Sequence, residues 1–232
     1  MTFVLIHGAW HGGWCWKRVT PLLRAAGHEV FTPTLTGLGE RAHLAGRDIN
    51  LDTHIQDVVM LMEAEELEDV VLVGHSYAGM VITGAADRAP RRIRRLVYLD
   101  AFVPEDGKAL TDYAGAERAA RQHEEGRRTG TVPPMPTAAL GVSKPEDVAW
   151  VERRQVRHPY GTMSQPLRLT EPAALARLPK TFIDCHSATG TFTQFASVLK
   201  ENPAWRCIEL PVGHDAMIID PTGTSRLLIE SL

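Results

Sequence analysis

The segment Gly74-His75-Ser76-Tyr77-Ala78-Gly79 puts a serine among small residues directly after the apolar run Val70–Val73. A chain that leaves a buried strand and turns sharply into a helix can hold a serine hydroxyl at the apex. Its neighbours must be small enough for the backbone to close up. As a G-x-S-x-G pattern the segment has Ala78 at the last position, with Gly79 behind it. The helix that follows would point its first N–H groups at negative charge developing near Ser76. Ser76 is the candidate nucleophile. A serine needs a general base to become reactive. Gly213-His214-Asp215 follows the last apolar run, and a histidine there can reach back, take the Ser76 proton and later return it. His214 is the candidate base. His75, one residue before Ser76, is expected to point away from it.

A third segment, His7-Gly8-Ala9-Trp10-His11-Gly12-Gly13-Trp14, follows the run Phe3–Ile6. Its glycines leave backbone N–H groups free to face a carbonyl oxygen. The N–H groups of Ala9 and Tyr77 are the expected oxyanion donors, each worth roughly 3 kcal/mol. Two other chemistries fail on spacing. Trp10 occupies the second glycine position of G-x-G-x-x-G, and no GK[ST] follows for a phosphate loop. His7 and His11 have no acidic third ligand beside them in sequence, so no metal site is expected there.

These residues need a scaffold that brings them together. Short Val/Ile/Leu-rich runs alternate with helical patterns, the signature of a mostly parallel sheet in an α/β protein. Six strands are expected: Phe3–Ile6, His28–Phe31, Val70–Val73, Arg95–Leu99, Thr181–Cys185 and Arg206–Leu210. Trp16–Ala26 reads as a helix closed by Gly27, and Leu51–Glu66 as one with an apolar stripe through Ile55, Val58, Val59 and Met62. From Pro104 to Leu178 the alternation stops. Pieces at Ala109–Glu125, Pro145–Gln155 and Pro172–Arg177 suggest helices around a Pro/Gly-rich stretch. The expected organisation is a core over residues 1–103 and 179–232, with residues 104–178 inserted as a helical cap.

The chain has 232 residues, of which 44% are hydrophobic and 23% charged, with a formal net charge of −3. That balance gives no general attraction to nucleic acid or to anionic membrane, and the basic run Arg88–Arg95 reads as a solvated helix end. No apolar stretch approaches the ~20 residues of a bilayer span. Strand-like residues begin at Phe3, so no leader is expected and a cytoplasmic location is. Cys15, Cys185 and Cys207 lack CxxC spacing and read as buried apolar residues rather than a disulfide or zinc framework.

HGAWHGGW, GHSYAGM, LVYLDAFVP and the terminal GHDAM together resemble the α/β-hydrolase superfamily. Within it the chain is similar to the plant methyl-ester esterases and hydroxynitrile lyases and their bacterial relatives. The resemblance covers Phe3–Pro104 and Pro179–Leu232. It implies the α/β-hydrolase fold and turnover of small carboxylic esters or cyanohydrins without a metal or organic cofactor. It places the family's nucleophile on Ser76, its base on His214 and its oxyanion donors on Ala9 and Tyr77. The sequence departs from the family at the acid. Related esterases carry an Asp in the loop after the strand matching Thr181–Cys185, where this chain reads His186-Ser187-Ala188-Thr189-Gly190. Asp100 is the expected substitute, because an Asp closing the apolar run LVYLD needs a partner. Asp184 is the alternative, although within its strand it would face a covering helix.

The lyases of this group have a threonine at the position of Gly8 and a lysine at that of Asp215, so hydrolysis of a small-molecule ester is the expected activity. Cofactor-free oxygenases, perhydrolases and hydrolase-derived receptors share the scaffold and stand as alternatives. Trp10 and Phe102 are expected at the pocket mouth, with Trp150, Tyr160 and Met163 roofing it from the cap. Such a lining suits an apolar or aromatic group of modest size.

Overall fold

The computed structural model describes residues 1–186 and 190–232. Its strands are β1 (Thr2–Ile6), β2 (Glu29–Phe31), β3 (Val70–His75), β4 (Ile93–Leu99), β5 (Thr131–Val132), β6 (His158–Pro159), β7 (Lys180–Asp184) and β8 (Trp205–Glu209). Six form one sheet in the order β2-β1-β3-β4-β7-β8, and every neighbouring pair in it is parallel. β5 and β6 make a separate antiparallel ribbon. The helices are α1 (Thr20–Ala25), α2 (Leu51–Ala64), α3 (Ala78–Arg88), α4 (Ala116–Thr129), α5 (Pro145–Glu152), α6 (Gly161–Ser164), α7 (Pro172–Arg177), α8 (Thr193–Leu199), α9 (Ala216–Ile219) and α10 (Pro221–Glu230).

Both faces of the sheet are buried, which is why its central strands read as unbroken apolar runs. Side chains alternate between two cores, as a period of two requires. Val4, Ile6, Leu72, Leu96, Tyr98 and Phe182 meet α2 and α3 on one side. Phe3, Leu5, Val71, Val73, Val97 and Ile183 meet Trp16, α1, α9 and α10 on the other. α2 turns Leu51, Ile55, Val58, Val59 and Met62 inward. Asn50 caps it, its Oδ1 accepting from the Thr53 N–H at 3.0 Å while the Thr53 hydroxyl accepts from the Asn50 N–H at 3.3 Å.

The expected helix over Trp16–Ala26 is split, with a 3-10 turn at Gly13–Trp16 and α1 starting only at Thr20. Pro21 explains the start, because proline is tolerated in a first turn and not inside a helix. The chain between Pro104 and Leu178 adds no strand to the main sheet and carries α4 to α7 and the ribbon. α4 is strongly charged and buries only Gln122 and Gly126. In a parallel sheet all strand C-termini lie along one edge. The residues after β1, β3, β4 and β8, far apart in sequence, therefore gather there.

Candidate active site

Ser76 leaves β3 with φ at +56°, a left-handed conformation that a serine adopts only where the surroundings hold it. Backbone bonds from Ser76 N–H to Leu99 O and from Phe102 N–H to Ser76 O, at 3.2 and 3.1 Å, hold it from both sides. Gly79 allows this closeness, since a Cβ there would lie 1.9 Å from the Phe102 carbonyl oxygen. That glycine, one residue past the strict motif, is where the elbow meets the end of β4.

Ser76, His214 and Asp100 form one hydrogen-bonded line. The Ser76 hydroxyl donates to His214 Nε2 at 2.9 Å, and His214 Nδ1–H donates to Asp100 Oδ2 at 2.6 Å. Asp100 is fully buried, and its Oδ1 accepts from the Cys185 N–H at 3.2 Å. Asp184, the alternative acid, turns away: its Oδ1 accepts from the His186 N–H at 3.0 Å. Ala188, where related esterases would carry their acid, lies outside the described residues. His214 is held between two rings, Phe192 stacked at 4.9 Å and 3° and His75 at 4.5 Å. Among the described residues His75 makes no hydrogen bond to the Ser76 side chain; its Nε2–H donates to the His214 carbonyl at 2.9 Å.

The loop after β1 is fixed by buried histidines whose hydrogen bonds define their protonation. His7 donates from Nδ1 to Gly8 O (2.9 Å) and accepts the Leu35 N–H at Nε2 (3.1 Å), so it is neutral. Burial pushes its pKa down to about 3. His158 accepts the Trp10 N–H at Nδ1, 3.3 Å away, and donates from Nε2 to Thr162 Oγ1 at 2.7 Å. Burial, then the neighbouring His54, keeps it neutral too, well below its ordinary value. His11 differs. It donates from Nδ1 to Ala9 O at 2.7 Å and from Nε2 to Asp215 Oδ2 at 3.0 Å. Both nitrogens face acceptors, so the ring is an imidazolium paired with a carboxylate. Burial opposes both charges, but their mutual attraction prevails, raising His11 and lowering Asp215. No local pattern points to this pair, whose members lie 204 residues apart.

Ala9 and Tyr77 both line the cavity that holds Ser76, and among the described residues no backbone hydrogen bond engages either N–H. The Tyr77 side chain is turned elsewhere, its hydroxyl donating to His54 Nδ1 at 2.8 Å. The cavity measures about 460 Å³, counting its open mouth. Trp10, Phe102 and Met163 line it, joined by Leu110, Met135, Leu140 and Phe192, which sequence reasoning did not single out. Trp150 and Tyr160 do not. Trp150 packs edge-on against Trp14 at 5.0 Å with the guanidinium groups of Arg18 and Arg154 over its ring. Tyr160 lies on Gly126 of α4, its hydroxyl paired with His123 Nδ1 at 2.8 Å. Both work as packing between elements, a role that their residue types alone do not separate from substrate contact.

His75, His214 and Asp215 offer atoms within 4.8 Å of one another, the kind of cluster that can hold a metal. Here His214 uses both nitrogens on Asp100 and Ser76, and His75 donates to a carbonyl, so the cluster acts as a hydrogen-bonded support. The three cysteines are free, two of them buried. Among the described residues no helix is long and apolar enough to cross a membrane.

Comparison with known proteins agrees with this architecture. The profile of the alpha/beta hydrolase family matches residues 3–227. The chain is 43% identical over 229 residues to a carbendazim hydrolyzing esterase from a Nocardioides species, with 94% of each chain covered. It is 40% identical over 126 residues to methylesterase 2 of Arabidopsis thaliana, covering 53% of this chain and 48% of that one. An extracellular alpha/beta-hydrolase from a Paenibacillus species superimposes with a TM-score of 0.86 at 24% identity, over 100% of this chain and 98% of the other. The chain belongs to the alpha/beta hydrolase family and is a hydrolase.

Proposed function

We propose that the protein hydrolyses a small carboxylic ester, with an apolar or aromatic group, through an acyl-enzyme on Ser76. The observation that carries this reading is the line Ser76–His214–Asp100, with bonds of 2.9 and 2.6 Å, opening into a largely apolar cavity. The relatives' names, a carbendazim hydrolyzing esterase and methylesterase 2, point to ester chemistry as well.

In the first half-reaction Ser76 Oγ attacks the ester carbonyl as His214 Nε2 takes its proton. The N–H groups of Ala9 and Tyr77 hold the oxygen that becomes negative. The tetrahedral adduct collapses, breaking the bond to the alcohol, and His214 delivers the proton to that leaving oxygen. Water then enters, gives a proton to His214 and attacks the acyl carbon. The acid departs, and Ser76 recovers its proton. Asp100 keeps the Nδ1–H tautomer and stabilises the imidazolium formed in each half. The segment 104–178 acts as a cap, supplying Leu110, Met135 and Met163 to the cavity wall.

Cyanohydrin cleavage fits less well. A side chain at position 8 would meet His75 Nδ1 at 2.8 Å and Ser76 Cβ at 3.0 Å, and Asp215 is already paired with His11. Stopped-flow mixing with p-nitrophenyl acetate tests the proposal. The expected trace is a burst of nitrophenolate followed by steady turnover, absent in Ser76→Ala. A burst and turnover retained in Ser76→Ala would remove Ser76 as nucleophile.

A further inference from the structure

Arg118 and Gln122 stand one helical turn apart on α4, and both line the cavity that contains Ser76. They also line a wider outer groove of about 870 Å³ along Val132, Pro133 and Pro134. Trp10 and Met135 are the other residues shared by the two spaces, so these four side chains form the passage between them.

Among the described residues, Arg118 and Gln122 are poorly supplied with protein partners. Arg118 is half-buried, and among the described residues its one hydrogen bond goes to the weak acceptor Met135 Sδ at 3.3 Å. Burial, then the like charge of Arg121, draws its pKa below the usual guanidinium value. Carboxylates nearby on α4 are already engaged by other arginines. Arg121 pairs with Glu117 at 2.7 Å, and Glu125 binds Arg128 and Arg157 at 2.6 and 2.5 Å. Among the described residues no carboxylate pairs with Arg118. Gln122 is 6% exposed, and its Oε1 is buried with no hydrogen-bond partner among the described residues. Rotating the amide half a turn would bring its NH₂ to the same place, so Gln122 can donate there as well. A buried amide oxygen without a partner and a half-buried cation without a counter-charge are both costly unless a ligand completes them.

We propose that Arg118 and Gln122 recognise a hydrogen-bond acceptor, carbonyl or carboxylate, carried by the ester at a distance from its scissile bond. This rests on the esterase reading above and narrows its substrate class. The reacting ester sits at Ser76 with its carbon chain against Phe102, Met163 and Leu110. The distal oxygen meets the Arg118 fork in the passage, and anything beyond lies in the outer groove.

Three methyl esters of similar length test this: methyl heptanoate, dimethyl adipate and monomethyl adipate. They carry no distal acceptor, a neutral carbonyl and a carboxylate respectively. The readout is the ratio of kcat/KM for each acceptor-bearing ester to that for methyl heptanoate, in wild type, Arg118→Met, Arg118→Lys and Gln122→Leu. Wild type should favour at least one acceptor-bearing ester by tenfold or more, chiefly through KM. Arg118→Met should reduce that ratio by about tenfold to hundredfold and Gln122→Leu by a few-fold. If the occupant is a carboxylate, Arg118→Lys should keep part of the preference; if it is a neutral carbonyl, the lysine should lose most of it.

Where these esters turn over too slowly to rank, the same compounds are ranked as competitive inhibitors of p-nitrophenyl acetate hydrolysis. A wild-type ratio near one, or a preference that survives Arg118→Met, overturns the proposal while leaving the esterase reading intact. An enzyme that turns over neither the methyl esters nor p-nitrophenyl acetate loses both.

Discussion

His214 faces a carboxylate through one nitrogen and a hydroxyl through the other, and the first contact decides what the second can do. With Asp100 accepting from Nδ1–H, Nε2 is left as the acceptor that the Ser76 proton needs. Asp100→Asn should therefore lower kcat by about 10³- to 10⁴-fold with little change in thermal midpoint, since an amide that donates to Nδ1 fixes the wrong tautomer. Asp184→Asn should stay within a few-fold of wild type, because that carboxylate serves the turn at His186. Equal losses in the two variants would argue against Asp100 as the acid. Much of this was legible in the sequence. Ser76 and His214 stand in local patterns, and Asp100 closes an apolar run that leaves it in need of a partner. Asp215 was not, because its meaning depends on His11 at the other end of the chain. The occupants of the cavity wall were read only in part, as Trp150 and Tyr160 show.

At the level of elements, the strands were readable to within about two residues, and the central ones stand out because burial on both faces leaves continuous apolar runs. The ribbon of β5 and β6 was not, since two-residue strands carry no periodicity. Yet that ribbon matters to the site. Trp10 donates from Nε1 to Val132 O at 3.2 Å, and His158 accepts the Trp10 N–H, so the loop after β1 is tied to both strands of the ribbon. His158→Phe should loosen the loop and lower kcat by about tenfold, less than the ~100- to 1,000-fold cost of deleting an oxyanion donor. Its KM should change little, and steady-state kinetics would show both. A different element should behave independently. Asn50→Ala removes the cap of α2 and should cost about 1 kcal/mol in urea unfolding while leaving kcat unchanged.

Across the whole molecule, the site edge carries an unusual load of buried histidine. His7, His54, His75 and His158 are neutral, with burial lowering each, to about 3 for His7 and about 4 for His54. Below about pH 6.5 the unfolded chain protonates these rings while the folded chain resists. The unfolded state then binds more protons, and stability falls with acid by up to about 1.4 kcal/mol per pH unit for each ring. His11 acts in the opposite sense. Its raised pKa contributes stability that is full below about pH 6.5 and is lost as pH rises through its folded value. Asp215, lowered, contributes above about pH 3.8 and loses its share as pH falls through its folded value. Four rings outweigh one, so the urea midpoint should drop steadily from pH 7 to pH 5. A flat profile over that range would contradict the neutral assignments.

A covalent acyl group on Ser76 can be read directly by rapid-quench mass spectrometry. Protein mixed with p-nitrophenyl butyrate, quenched in acid within milliseconds and digested, should carry one butyryl group on the peptide containing Ser76. The modification should disappear as turnover completes and never form in Ser76→Ala. Steady turnover with no acyl group on that peptide at any time, or acylation elsewhere that persists in Ser76→Ala, would rule out Ser76 as the acylated nucleophile.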